Sequence, residues 1–232
     1  ASGANGIVVA QEIEAANMGK KVLLEGGNAI DAAVSTALAL CVTEPWMSGL
    51  GGGGFMVVYL AKQNLVKIVD FGMISPLELQ LSDYSLSGET GGDMFGWPGV
   101  VNDSNLHGAR SIAVPGSVAG YSLAVEQYGR KSWRDLLDPI IKLAKRGHRK
   151  TWWTTLNVAA EAQLLRIYDH SAQIWLPNGI VPCVSQDLSD NYLKLGKLTS
   201  TLQLLSDHGA EYFYKGDLAK SMVNDVRAAG GR

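Results

Sequence analysis

Gly49, Gly51 and Gly54 stand at the G-x-G-x-x-G spacing that lets a backbone wrap a pyrophosphate. The dinucleotide form of that motif needs a strand before it and a helix after it. Here the order is reversed: an apolar helical run, 29–42, precedes the glycines, and a β-branched and aromatic run, 55–60, follows them. No Gly-Lys-Ser/Thr follows, so a P-loop fails as well. Successive glycines do permit close backbone approach, including N–H groups offered to an anion, and tight packing at a sheet end explains them equally well. His107, His148, His170 and His208 are scattered, and none pairs with a cysteine, a carboxylate or a second histidine at ligand spacing. The expectation is therefore no metal site and no cofactor. Ser48 and Ser117 lack the glycine two residues earlier that a nucleophile elbow requires. Trp152-Trp153, Trp46 and Trp97 are candidate substrate walls, although paired aromatics more often belong to a core or an interface. No complete catalytic constellation stands in this chain.

The elements that would carry these residues can be read from periodicity. Ile7-Val8-Val9-Ala10 reads as a short strand. Residues 11–25 read as a helix stopped by Gly26-Gly27, and Asn28 then caps a second helix with Asp31 in its first turn. That helix, 29–42, is apolar on nearly every side and reads as buried, with Cys41 packed as a small hydrophobe. Glu44-Pro45 stops it. Runs 55–60 and 65–71 around a polar tip at 62–64 read as a β-hairpin, apolar enough to be covered on both faces. Residues 72–110 read as a long loop, 111–114 as a strand, and helices are expected at 117–127, 133–146, 154–167, 198–207 and 218–229.

Composition sets the outer bounds. There are 27 glycines among 232 residues, about 12% against a usual ~7%. Apolar residues make up 47% and charged residues 18%, which excludes disorder, and two cysteines are too few for a disulfide framework. Twenty basic against 22 acidic side chains leave a net charge of −2, so no electrostatic case exists for nucleic acid or an anionic membrane surface. No run reaches the ~18 apolar residues of a membrane span. Residues 1–6 show neither the basic nor the apolar region of a signal peptide, and the compartment, periplasmic, secreted or cytoplasmic, stays open. With no Ser/Pro-rich linker, residues 1–232 read as a single domain.

The strings Gly26-Gly27-Asn28-Ala29-Ile30-Asp31-Ala32-Ala33, Glu44-Pro45, Ser48-Gly49-Leu50-Gly51-Gly52-Gly53 and Ala113-Val114-Pro115-Gly116-Ser117-Val118-Ala119-Gly120 resemble the gamma-glutamyltranspeptidase family. Tyr128-Gly129 with Trp133, Phe213-Tyr214 with Gly216, and Ala228-Ala229-Gly230-Gly231 follow in the family's order. The resemblance implies an α+β N-terminal-nucleophile hydrolase, an αββα sandwich made by self-cleavage of a precursor and completed by a second, small-subunit chain. This chain resembles the large subunit, or its N-terminal part, with residues after Arg232 expected to be missing. The family's nucleophile is a Thr or Ser at the small subunit's new N-terminus, so no catalytic residue is expected here. Such a nucleophile needs no histidine, because its own α-amine serves as base.

One departure bears on substrate. Gamma-glutamyl-cleaving members carry an arginine after D-[FY], where it grips the substrate's α-carboxylate, but this sequence reads Asp70-Phe71-Gly72-Met73-Ile74-Ser75-Pro76. Glycine cannot replace a bidentate Arg–carboxylate pair. The resemblance then implies an acylase or amidohydrolase of small amides, with Phe71, Gly72 and Met73 on the substrate wall. Arg110 could supply the missing cation from another direction. Phe95-Gly96-Trp97-Pro98 resembles the acylase-type members. True γ-glutamyl transfer, and a non-catalytic binding module on the same scaffold, are the alternatives.

Overall fold

A computed structural model describes residues 2–91, 95–187 and 191–232. Ala1, where the signal-peptide reading starts, and residues 92–94 of the expected long loop lie outside the described residues. Helices α1 (Ile13–Leu24) and α2 (Ala29–Thr43) come first, followed by a hairpin of β1 (Gly54–Leu60) and β2 (Leu65–Phe71). Next are β3 (Leu86–Thr90), β4 (Pro98–Val100), α3 (Ser117–Tyr128), α4 (Trp133–Arg146) and β5 (His148–Arg149). Then come α5 (Trp152–Ala160), α6 (Ala162–Ile167), α7 (Asp169–Trp175), β6 (Tyr192–Leu193), α8 (Leu198–His208), α9 (Tyr212–Lys215) and α10 (Asp217–Ala228). The chain forms two compact units, one of residues 1–50 and 121–209, the other of residues 51–120 and 210–232.

In the first unit, α2 packs against α1 and α4, and α4 packs against α8. Val34, Leu38, Val42, Leu136, Leu137, Ile140, Leu202 and Leu205 are fully buried and form its core. Each such aliphatic side chain contributes about 1.5–3 kcal/mol on burial. The start of α2 is fixed by Asn28, whose Oδ1 accepts from Ile30 N (2.9 Å) and Asp31 N (3.1 Å), while Asp31 Oδ2 accepts from Asn28 N (2.8 Å). Asp31 does more than complement the helix dipole. Fully buried, it also accepts from the backbone N–H groups of Arg130 (3.0 Å) and Lys131 (3.1 Å), which ties the turn before α4 to α2. Cys41 lies inside the same helix, and burial pushes its thiol up to about 12.

The second unit holds the hairpin, in which Gly54 pairs with Phe71, Val57 with Ile68 and Tyr59 with Val66, along with the antiparallel β3–β4 pair, α9 and α10. The hairpin is covered on one face only. Val58 and Val69 are buried, whereas Phe55 (69% exposed), Val57 (70%), Tyr59, Val66 and Ile68 line an open face. Apolarity predicts cover on both faces, and this chain by itself supplies it on one.

Other boundaries differ from the sequence reading for local reasons. Residues 72–110 contain the β3–β4 ribbon, invisible to periodicity because Leu86–Thr90 is exposed along its whole length. The expected strand at 111–114 is reduced to one bridge, Val114 to Ile74. The helix expected at 154–167 is broken into α5 and α6 at Glu161. Residues 7–10 are not paired as a strand among the described residues.

Candidate functional site

The sequence-derived site begins where β2 ends. Asp70 Oδ1 accepts the N–H of Gly72 (3.0 Å), a local side-chain bond that turns the chain out of the ladder. Ile74 O then accepts from Val114 N (2.8 Å), so residues 72–73 are held between two fixed points. Phe71 is anchored by glycines. A Cβ at Gly120 would lie 2.2 Å from Phe71 Cγ, and one at Gly116 would lie 2.0 Å from Phe71 O. A Cβ at Gly53 would lie 2.7 Å from Phe71 O and 2.8 Å from Met73 N. Real Cβ atoms do not approach so closely, so glycine is required where residues 53, 116 and 120 meet the end of β2. The carbonyl of Gly52 joins this junction, accepting from Gly116 N (2.8 Å) and Ser117 N (3.0 Å). The glycine-rich run therefore serves close backbone packing at a sheet end, one of the two uses the sequence left open.

Gly72 differs from these glycines. Its Cβ position is 3.3 Å from Asp70 Oδ1 and 3.7 Å from Phe55 Cζ, and its φ is not in the left-handed region. A side chain would fit there after a small movement of the exposed Asp70 carboxylate. Its surroundings are apolar apart from that carboxylate: Phe55 and Met73 (54% exposed) both reach solvent.

Arg110 is placed differently. Its Nη1 donates to Asp83 O (3.3 Å) and its Nε to Gly230 O (3.4 Å), while its own carbonyl accepts from Tyr84 Oη (2.7 Å). None of these described bonds reaches residues 71–73. Asp83 beside it accepts from Gln80 N (2.9 Å) and pairs with Arg232 through both carboxylate oxygens. The Arg232 guanidinium is the main cause holding this carboxyl down to about 2.

The aromatic candidates fall in separate settings. Trp46 sits edge-on to His148 (5.2 Å) and Trp175 (6.4 Å), and Trp152 sits edge-on to Trp153 (5.4 Å). His148 is buried, with Nδ1 3.1 Å from Val42 O and Nε2 2.8 Å from Thr154 Oγ1. The carbonyl can only accept, which makes Nδ1 the protonated nitrogen and Nε2 the acceptor. Burial pushes its pKa below the ordinary value, so this neutral histidine braces β5 against α5. Among the described residues no three His, Cys, Asp or Glu side chains gather as metal ligands, and no described helix is long and apolar enough to cross a membrane.

Sequence reasoning gave no role to Tyr214. Its hydroxyl oxygen accepts from Ala119 N (3.0 Å) in the first turn of α3, the turn that also carries Gly120. Tyr214, Gly116 and Gly120 were legible only as pieces of family strings, because the signal lies in contacts between segments far apart in the chain.

The gamma-glutamyltranspeptidase family model matches residues 15–232. A glutathione hydrolase proenzyme of Bacillus subtilis is 34% identical over 241 residues, covering 99% of this chain and 37% of the relative. An acylase proenzyme of a Pseudomonas species, ACY 1, is 32% identical and covers 100% of this chain and 40% of the relative. The crystal structure of the Helicobacter pylori gamma-glutamyltranspeptidase superposes with a TM-score of 0.85 at 30% identity, covering 100% of this chain and 62% of that one. The chain thus spans well under half the length of the two curated relatives, and its mixed helix-and-strand fold is that of the solved family member. With its glycine junction, its buried Asp31 turn and a match over residues 15–232, the chain belongs to the gamma-glutamyltranspeptidase family.

Proposed function

We propose that this chain is the large subunit, or the N-terminal part of it, of a self-processed amide hydrolase, folded as one domain completed by a second chain from the same precursor. The second chain carries an N-terminal Thr or Ser. Its hydroxyl attacks the substrate amide carbon, its α-amine takes the proton, and hydrogen-bond donors stabilise the tetrahedral oxyanion until the amine leaves and water releases the acyl group. This chain supplies one wall of the substrate pocket at Phe71, Gly72 and Met73, with the exposed Arg110 as a cation for an acyl carboxylate approaching from elsewhere. The open hairpin face of Phe55, Val57, Tyr59, Val66 and Ile68 supports a second chain, since an apolar face of that kind is covered in folded assemblies.

The observation that carries the acylase or amidohydrolase reading is Gly72, a position with room for a side chain and no cation on it. Gamma-glutamyl hydrolysis is the second reading, favoured by relatives such as the B. subtilis glutathione hydrolase. An assay of the assembled enzyme against γ-glutamyl anilide, glutaryl amides and oxamate separates them. Acylase-type turnover exceeding γ-glutamyl turnover is the expected result, and efficient γ-glutamyl turnover at low substrate overturns it. Intact-mass analysis should also find a second chain that begins with a hydroxyl residue; its absence removes the mechanism.

A further inference from the structure

The first unit holds a cavity of its own, about 240 Å³, at the N-terminal end of α1. Its walls include Glu12, Glu14, Trp46, His148, Arg149 and Trp153. His148 and Glu14 are already engaged: the histidine uses both ring nitrogens on Val42 and Thr154, and Glu14 holds the Arg146 guanidinium with both oxygens at 2.7 Å. Glu12 is different. It is the N-cap of α1, yet its side chain caps nothing, and no hydrogen bond or ion pair among the described residues reaches its carboxylate. Burial and the negative charges of Glu14 and Glu44 push the Glu12 carboxyl above its ordinary value, with Arg149 opposing them. Glu44, next to the cavity-lining Thr43, is only 4% exposed and likewise has no hydrogen bond or ion pair on its carboxylate among the described residues. A carboxylate so buried normally has a cation or a donor beside it. With Arg146 set against Glu14, two carboxylates, Glu12 and Glu44, face the single exposed guanidinium of Arg149, a surplus of one negative charge. Two indoles complete the walls. Trp46 is held edge-on to His148 (5.2 Å), and Trp153 is 36% exposed. Indole faces attract cations and cover apolar bodies. No three described His, Cys, Asp or Glu side chains gather as metal ligands, so the aromatic walls point to an organic cation.

We propose that this cavity binds a small organic ammonium ion, its charged head on Glu12 and its carbon body against Trp46 and Trp153. A volume of about 240 Å³ equals roughly eight water volumes, room for a ligand of about eight non-hydrogen atoms. The site uses none of residues 71–73 and not Arg110, and it stands independently of the acylase reading.

Calorimetric titration of the protein as isolated, with any chain that accompanies it, tests the proposal with three probes of one size: benzylammonium, benzyl alcohol and benzoate. One benzylammonium should bind per chain, about 3- to 30-fold tighter than the alcohol, the combined effect of one partly exposed ion pair and a cation–π contact. Benzoate should bind most weakly. Glu12→Gln should remove the advantage of the ammonium over the alcohol, and Trp153→Leu should weaken the ammonium about two- to fivefold. Arg149→Met should tighten it, because the competing cation is gone, a direction that damage to the fold cannot produce. Equal affinity for the ammonium and the alcohol overturns the proposal. So does ammonium binding indifferent to both Glu12→Gln and Arg149→Met, which places the probe elsewhere. Absence of saturable binding shows the cavity closed in the assembled protein and overturns it as well. Each of these results leaves the acylase reading untouched.

Discussion

Replacing Gly72 with arginine tests the specificity argument where the structure gives it numbers. The new Cβ meets Asp70 Oδ1 at 3.3 Å and Phe55 Cζ at 3.7 Å, so only an exposed carboxylate must give by a few tenths of an ångström. Backbone conformation adds no strain, because φ at this position is outside the left-handed region. The folded chain should tolerate the change within about 0.5 kcal/mol, the usual range for a surface substitution. A guanidinium bound to a substrate α-carboxylate contributes about 1.5–3 kcal/mol, less up to ~1 kcal/mol for the competing contact with Asp70. The net gain is about 0.5–3 kcal/mol, or roughly 2- to 150-fold in kcat/KM. The assay compares Gly72→Arg with the parent enzyme, both as assembled two-chain protein, on a γ-glutamyl anilide and on an acyl amide lacking the α-carboxylate. Kinetic gain should be confined to the γ-glutamyl substrate and appear mainly in KM. An unchanged kcat/KM ratio between the two substrates, with the melting temperature preserved, would refute the placement of Gly72 on the substrate wall.

Gly120→Ala should behave in the opposite way, since its Cβ falls 2.2 Å from Phe71 Cγ and forces the hairpin end outward. Overpacking of this kind costs about 1–3 kcal/mol, read as a lower urea midpoint. Asp31→Asn leaves one amide oxygen for the three backbone N–H donors of Asn28, Arg130 and Lys131. The expected loss is about 2–5 kcal/mol in a urea titration, and a midpoint within error of the parent would refute the anchoring role. His148 has a folded pKa below its ordinary 6.5, so its contribution to stability is complete above that pH and is lost as pH falls below it. Its imidazole proton resonances should titrate below the ordinary midpoint, and a normal midpoint contradicts the burial of the ring. Asp83, held down to about 2 by Arg232, stabilises fully above an unfolded value near 4 and loses that contribution as pH falls toward 2. Arg232→Ala should remove this acid-side component from a plot of melting temperature against pH.

Local rules account for what was legible in the chain beforehand. Asn28 with Asp31 announced the start of α2, because a cap needs only residues three apart. Gly26-Gly27 and Pro45 bounded the first two helices, and the apolar runs around Lys62-Gln63-Asn64 located the hairpin. Asp70-Phe71 and Pro76 set the register in which Gly72 follows the aromatic residue, a fact of spacing that no fold could alter.

Contacts between distant segments account for the rest. Residues 7–10 read as a strand from β-branched composition, but a strand is completed by another backbone, and none pairs with them among the described residues. Arg110 is legible as a cation because a side chain's charge is visible in sequence while its hydrogen-bond partners are not. Its bonds to Asp83 and Gly230 depend on residues 27 and 120 positions away. Asp31 appeared as a dipole partner, and only tertiary structure made it the acceptor for a turn 100 residues further on. By itself the sequence determined the family and the helix boundaries set by caps and glycines, which depend on neighbours in the chain. Tertiary structure alone decided which glycines are obligatory. Gly53, Gly116 and Gly120 crowd one phenylalanine, whereas a Cβ at Gly72 would meet only the exposed Asp70 carboxylate at 3.3 Å and Phe55 Cζ at 3.7 Å, a difference set by distance in space rather than along the chain.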